Sequence, residues 1–249
     1  MIIVKIPDFL DGKSPLLDAD LQEQLAPYLG KMPHSVTLKV VYDQKVEKSL
    51  EAANFYLSFA ALSPQLNIEL YSSKELPDEV IKAMQGSERL PFCTLFNFEG
   101  KPGKVSFRGI PGGKEINSFL LAILRLSGFE GLKPDQELLD AVQKLDSLNH
   151  PQTIQIMVSL ACSHCSKMVE NSQALAIASK NVSAEMIDAT LYPDLIEKYS
   201  IKRVPMTFLD GVEVLGEKTS LDIAEILLEQ ANKKTEVSSV LRDAVSYPN

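Results

Sequence analysis

The strongest constraint on this chain is an internal repeat: one order of extended and helical segments occurs twice along its 249 residues. In the first half, Ser35 to Tyr42 alternates and is β-branched, which reads as a strand. Leu50, Ala53, Tyr56, Leu57 and Ala60 then fall at helical spacing within Glu47 to Leu62. A strand at Leu66 to Tyr71 and a short helix near Pro77 to Met84 follow. Next come Leu90-Pro91, an apolar run Phe92 to Phe98, a turn at Gly100, a run Lys104 to Arg108 and a helix near Lys114 to Leu126. The second half has a strand at Thr153 to Leu160, a helix from Cys165 to Ser179, a strand at Val182 to Asp188 and a short helix Tyr192 to Tyr199. It closes with Val204-Pro205, runs Met206 to Leu209 and Val212 to Leu215, and a helix Ser220 to Gln230. Asp210-Gly211 between the last two runs is a hairpin signal. Each half reads β-α-β-α-β-β-α, which implies two copies of one domain, each burying its own core.

The boundaries follow. Residues 1–20 form an N-terminal extension, 21–130 the first copy, 131–150 a connecting helix, 151–231 the second copy and 232–249 a tail or linker. The connecting helix is read over Asp135 to Leu145 from Leu138, Leu139, Val142 and Leu145; the tail ends in Tyr247-Pro248-Asn249 and is expected to be an exposed arm. A formal net charge of −8 argues against nucleic acid or an anionic membrane as partner, since both need a clustered positive field. Met1 to Ile6 lacks the basic and apolar regions of a secretory signal, and no apolar stretch reaches the roughly 18 residues of a membrane span. A soluble cytoplasmic protein is expected, with its thiols held reduced. Three cysteines are too few for a disulfide framework, and the odd count leaves one thiol over.

Two of the three form Cys162-Ser163-His164-Cys165, directly after the strand Ile154 to Leu160. If a helix begins at the motif, unpaired N–H groups and the positive end of its dipole favour a thiolate at Cys162. Cys162 is then the attacking sulfur and Cys165, one turn inward, the resolving thiol. His164 adds a protonatable neighbour that, when positive, tunes the thiolate. Two bland readings compete: half of a zinc site, or two incidental buried cysteines. A structural zinc needs four ligands, and Cys93, His34, His150 and His164 supply no second close pair, so no metal is expected.

These motifs resemble the N-terminal domain of the flavoprotein subunit of bacterial alkyl hydroperoxide reductase, over roughly Asp18 to Gln230. The similarity is carried by Leu21 to Leu29, by Ser118 to Leu124, and most specifically by Val158-Ser159-Leu160-Ala161-Cys162-Ser163-His164-Cys165, Ile187-Asp188 and Val204 to Gly211. The implied fold class is α/β: tandem thioredoxin-like folds, each a mixed central sheet flanked by helices, only the second redox-active. In the first, the strand end Tyr42-Asp43-Gln44-Lys45 has no cysteine, although Pro91 stands where Pro205 does in the second. The resemblance implies that Pro205 is cis and that Val204 and Pro205 bind an extended substrate segment. It implies that Cys162 attacks a peroxiredoxin disulfide and Cys165 releases it, and that Glu115 faces the redox centre, where a buried carboxylate can shuttle a proton. The same glutamate is equally a helix-start residue at a favourable dipole position.

The chain departs from the family at three points. Ser163-His164 and Ser166 replace the usual His-Asn pair and following Pro; a His at the second intervening position belongs to more oxidising relatives. The expected reduction potential is therefore less negative than thioredoxin's roughly −270 mV. Cys93 is a free thiol in the inactive half, read as a buried small hydrophobe. No G-x-G-x-x-G occurs, so no cofactor is expected to be bound: FAD and NAD(P)H belong to a separate thioredoxin-reductase-like flavoprotein or to a missing domain, the stand-alone form being favoured. The expected function is relay of electrons from that flavoprotein to a protein disulfide. Two alternatives stand beside it: a broad-specificity protein disulfide oxidoreductase, and a thioredoxin-fold binding module with an idle CxxC.

Overall fold

A computed structural model describes residues 6–148 and 150–245. The elements run α1 (Ala19–Leu29), β1 (Val36–Tyr42), α2 (Glu47–Ala60), β2 (Leu66–Ser72), α3 (Asp78–Ala83), β3 (Phe92–Phe96), β4 (Pro102–Arg108) and α4 (Ile116–Leu126). They continue through α5 (Gln136–Ser147), β5 (Gln152–Val158), α6 (Cys165–Ala178), β6 (Val182–Asp188), α7 (Pro193–Lys198), β7 (Met206–Leu209), β8 (Val212–Val214) and α8 (Ser220–Val245). The repeat is longer than the strand order alone displays. Helices α1 and α5 hold the same place before β1 and β5, and each is N-capped by an aspartate: Leu21 N donates to Asp18 Oδ1 and Leu138 N to Asp135 Oδ1, both at 2.9 Å. The connecting helix thus stands to the second half as α1 stands to the first.

Each half builds a four-stranded mixed sheet, and the two join into one sheet of order β2-β1-β3-β4-β6-β5-β7-β8. The seam is a parallel pairing of β4 with β6, in register from Val105 opposite Ala184 to Arg108 opposite Ile187. Joining removes two exposed strand edges. One continuous apolar core consequently spans both halves, from Val36 and Phe55 through Phe119 and Ile123 to Met168 and Leu227. Alternation along the strands sends Val40 and Ile156 into that core, while Val41 and Met157 face the other side under α3 and α7. At the seam the fully buried Arg108 donates from Nε to Glu185 Oε1 at 2.6 Å and from Nη2 to the Met84 carbonyl at 2.8 Å. Glu185 is also bonded by Gln155 of β5, so its charge has partners from both halves.

Two boundaries differ from the sequence reading. Helix α4 starts at Ile116, after a 3-10 turn over Gly113–Glu115, because Gly113 adopts φ +55° there. Helix α8 runs on to Val245, so residues 232–245 of the expected arm are helical; no Gly or Pro interrupts the chain between Ala231 and Val245. Residues 246–249 of that arm, and Met1 to Lys5 of the extension, lie outside the described residues. The rest of the extension is docked: Leu10 is buried with Tyr42, Ala53 and Leu57, and Gly12 N donates to Asn54 Oδ1 at 3.0 Å. Among the described residues, no helix is long and apolar enough to cross a membrane.

Candidate active site

Strand β5 ends at Val158 and hands the chain to a short loop, in which Cys162 N donates to the Ser159 carbonyl at 2.9 Å. Helix α6 begins at Cys165, three positions beyond Cys162, with His164 at its N-cap making no side-chain capping bond. Cys162 therefore precedes the helix rather than opening it. Its side chain is half-buried, and Sγ lies 3.7 Å from the Val204 carbonyl oxygen. The Val204-Pro205 peptide bond is cis. Cys165 is completely buried behind it, and both sulfurs are free thiols in this structure. Burial first, and the adjoining Cys162 thiol second, hold Cys165 well above the ordinary thiol range. The pair is asymmetric: Cys162 is half-buried, while Cys165 is sequestered as a neutral thiol.

The first half supplies the inner wall. Lys114 N donates to the Leu160 carbonyl at 3.0 Å, tying the turn before α4 to the motif loop. Gly113 makes that approach possible, since a Cβ there would lie 2.6 Å from the Leu160 oxygen. The turn delivers Glu115 into the interior at 0% exposure. Glu115 Oε2 accepts from Ser118 Oγ at 2.7 Å, and Oε1 is buried without a hydrogen-bond partner. Burial raises this carboxyl to about 7, against the opposing pull of the Ser118 bond. Its charge in turn contributes to raising Cys165.

His164 is exposed and lines an open cleft of about 880 Å³ with Tyr199, Arg203, Val204, Pro205 and Leu215. Cys93 lies apart, fully buried on β3, its thiol raised by burial above the ordinary range. Leu90-Pro91 is also cis, but that edge is closed: the Tyr192 hydroxyl is 3.5 Å from the Pro91 carbonyl, and Arg89 pairs with Asp194 of α7. The second half thus covers in the first the surface it leaves open in itself. Among the described residues no group of three or more His, Cys, Asp or Glu side chains is placed to hold a metal ion. Ser118 and Tyr192 were not apparent from the sequence as part of these arrangements. Ser118 had a signal, its spacing of three from Glu115, which faces the two side chains together once the segment is helical. Tyr192 had none, because its contact crosses between the halves.

Fold and site together define a class: a tandem thioredoxin-like protein with one paired-cysteine centre, in its second half. A thioredoxin-domain family model matches residues 152–229. The F component of alkyl hydroperoxide reductase (AhpF) from Staphylococcus aureus is 30% identical over 198 residues, covering 80% of this chain and 35% of the relative. The solved NTD_N/C domain of alkyl hydroperoxide reductase AhpF from Enterococcus faecalis superposes with a TM-score of 0.74 at 32% identity, over 84% of this chain and 99% of that one. A protein disulfide oxidoreductase from Aeropyrum pernix shares the fold, with a TM-score of 0.74 at 23% identity over 87% of this chain and 94% of that one. The chain belongs to the family of the N-terminal domain of alkyl hydroperoxide reductase AhpF. It spans about a third of the length of the curated relatives it matches.

Proposed function

We propose that this chain is a thiol–disulfide oxidoreductase that passes electrons from the dithiol of a thioredoxin-reductase-like flavoprotein to the disulfide of a peroxiredoxin. The observation that carries the reading is the asymmetry of the pair: Cys162 half-exposed beside the Val204 carbonyl, Cys165 buried behind it. Cys162, as thiolate, attacks one sulfur of the partner disulfide; that S–S bond breaks, and the departing sulfur takes the electron pair and a proton. An extended partner segment pairs with the backbone at Val204, whose carbonyl stands beside Cys162 Sγ. Cys165 then gives its proton to the Glu115 carboxylate and attacks Cys162 Sγ. The Cys162–Cys165 bond forms and the reduced partner leaves with two thiols. His164, on the cleft rim, tunes the Cys162 thiolate from the solvent side. The flavin and nicotinamide chemistry that restores the dithiol belongs to the electron donor; this chain contributes the cysteine relay.

The test uses Cys165→Ser, which stops the cycle at the mixed disulfide. Incubated with an oxidised two-cysteine peroxiredoxin, this variant is expected to form a covalent adduct through Cys162, reversible by dithiothreitol. The native chain should couple NAD(P)H oxidation by a flavoprotein reductase to peroxide consumption. Insulin reduction without any peroxiredoxin adduct would instead mark a broad disulfide reductase. Loss of both activities would mark an idle CxxC.

A further inference from the structure

Ser118 stands one turn beyond Glu115 at the start of α4 and is 1% exposed. Its hydroxyl oxygen lies 2.7 Å from Glu115 Oε2 and 2.9 Å from the Glu115 main-chain oxygen. A hydroxyl carries one proton, so it donates to only one of these at a time. Facing a carboxylate, it donates to Oε2. Once Glu115 takes up a proton, the carboxyl O–H donates to Ser118 Oγ, and the serine proton turns to the main-chain oxygen. Both protonation states are then hydrogen-bonded without movement of a heavy atom.

We infer that Ser118 is a positioning residue for the thiol chemistry, a two-way hydrogen-bond rotor that holds the Glu115 carboxyl and brings its two protonation states close in energy. The inference rests on the proposed exchange of a proton between Glu115 and Cys165. The ionised state gains a charge-assisted bond from Ser118, which offsets part of the cost of burying the charge. The titratable groups facing Glu115 are Cys165 and, beyond it, Cys162. Among the described residues neither α4 nor α6, the helices packed against its turn, brings a charged side chain to bear on it, so Ser118 is its one polar counterweight to burial. In the resolving step, Cys165 S–H gives its proton to the carboxylate as its sulfur attacks Cys162 Sγ. The Cys162–partner S–S bond breaks, the Cys162–Cys165 bond forms, and the departing partner thiolate takes up the proton that Glu115 holds.

The experiment compares Ser118→Ala and Ser118→Thr with the native chain, and uses Glu115→Gln as reference. The first readout is the titration of the Glu115 carboxyl carbon by NMR in the reduced chain, its signal assigned by its loss in Glu115→Gln. The second is the pH profile of the resolving step, followed as thionitrobenzoate release from a Cys162 mixed disulfide prepared with dithiobis(nitrobenzoate). Ser118→Ala is expected to raise the Glu115 midpoint by about one pH unit, a tenfold change in proton affinity. The limb of the release profile should move alkaline by the same amount, with release about tenfold slower below the midpoint. Ser118→Thr, which keeps the hydroxyl, is expected to restore both. A native midpoint and profile in Ser118→Ala, with release slowed in Glu115→Gln, overturns the role of Ser118 and leaves that of Glu115 intact. A native release profile in Glu115→Gln overturns the proton exchange and the inference with it.

Discussion

Arg108 of β4 and Glu185 of β6 form a buried ion pair, Nε to Oε1 at 2.6 Å, across the seam that joins the two halves into one sheet. Their side chains are 1% and 6% exposed, so each charge depends on the other and on the hydrogen bonds around them. Removing one partner of such a pair costs about 3–5 kcal/mol, because the other charge stays buried. Arg108→Met is therefore expected to lower the free energy of unfolding in urea by that order. The double variant Arg108→Met with Glu185→Leu should recover part of the loss, the remainder reflecting the carbonyls of Met84, Ser87 and Arg89 that the guanidinium bonds. A double variant no more stable than the single one would show that those carbonyls, rather than the charge pair, hold the seam.

The Glu115 carboxyl predicts a slope of stability with pH. Its folded value, raised to about 7, lies above the 4.5 of an unperturbed glutamate, so between these values the folded state binds more protons than the unfolded. Stability from this group is full below about pH 4.5 and is lost as pH rises through 7. The full difference is on the order of 3 kcal/mol. Denaturant unfolding of the reduced chain at pH 5 and pH 8 is expected to show that fall, and Glu115→Gln to remove it. A Glu115→Gln variant with the native pH slope would refute the assignment.

Gly113→Ala tests the contact between halves. The residue's φ of +55° and a Cβ 2.6 Å from the Leu160 carbonyl both resist a side chain. Strain of this kind costs of order 1–3 kcal/mol, and relief requires the motif loop to shift. The variant should be less stable in thermal unfolding, and it should reduce a protein disulfide more slowly. Unchanged activity would show that the loop tolerates displacement.

The three thiols are expected to separate cleanly. Cys162→Ser abolishes insulin reduction, and Cys165→Ser retains one round of adduct formation. Cys93→Ala keeps turnover within about twofold, while losing on the order of 1 kcal/mol of packing in its fully buried site. Loss of turnover in Cys93→Ala would make the third cysteine part of the relay.

The His164 position predicts a potential less negative than thioredoxin's roughly −270 mV, since an exposed imidazole at the rim, when it carries a proton, favours the thiolate of the reduced form. Titration against glutathione buffers measures it directly. His164→Ala is expected to shift the potential to more negative values, and a native potential below about −270 mV contradicts the expectation.

Much of this was legible in the chain itself. Apolar periodicity located the strands β1, β2, β5 and β6, and Asp210-Gly211 marked the β7–β8 hairpin, where both residues take positive φ. These are local properties, set by backbone preference and by which face of a segment is apolar. The limits of α8 and of the turn before α4 were less legible. A polar helix lacks a strong period, and Gly113 adopts its conformation to meet a carbonyl that lies far along the chain.

The sequence by itself determined the repeat, the adjacent cysteine pair and the absence of a cysteine from the strand end of the first copy, because each depends on residues close together in the chain. Tertiary structure alone decided that β4 would pair with β6, that Arg108 would meet Glu185, and that Tyr192 would close the edge at Pro91 while Val204 stayed open. It also decided that a glutamate from the first half would be buried behind a thiol of the second. Burial and proximity are properties of the packed interior, and the two halves set them for each other only once their strands share one sheet.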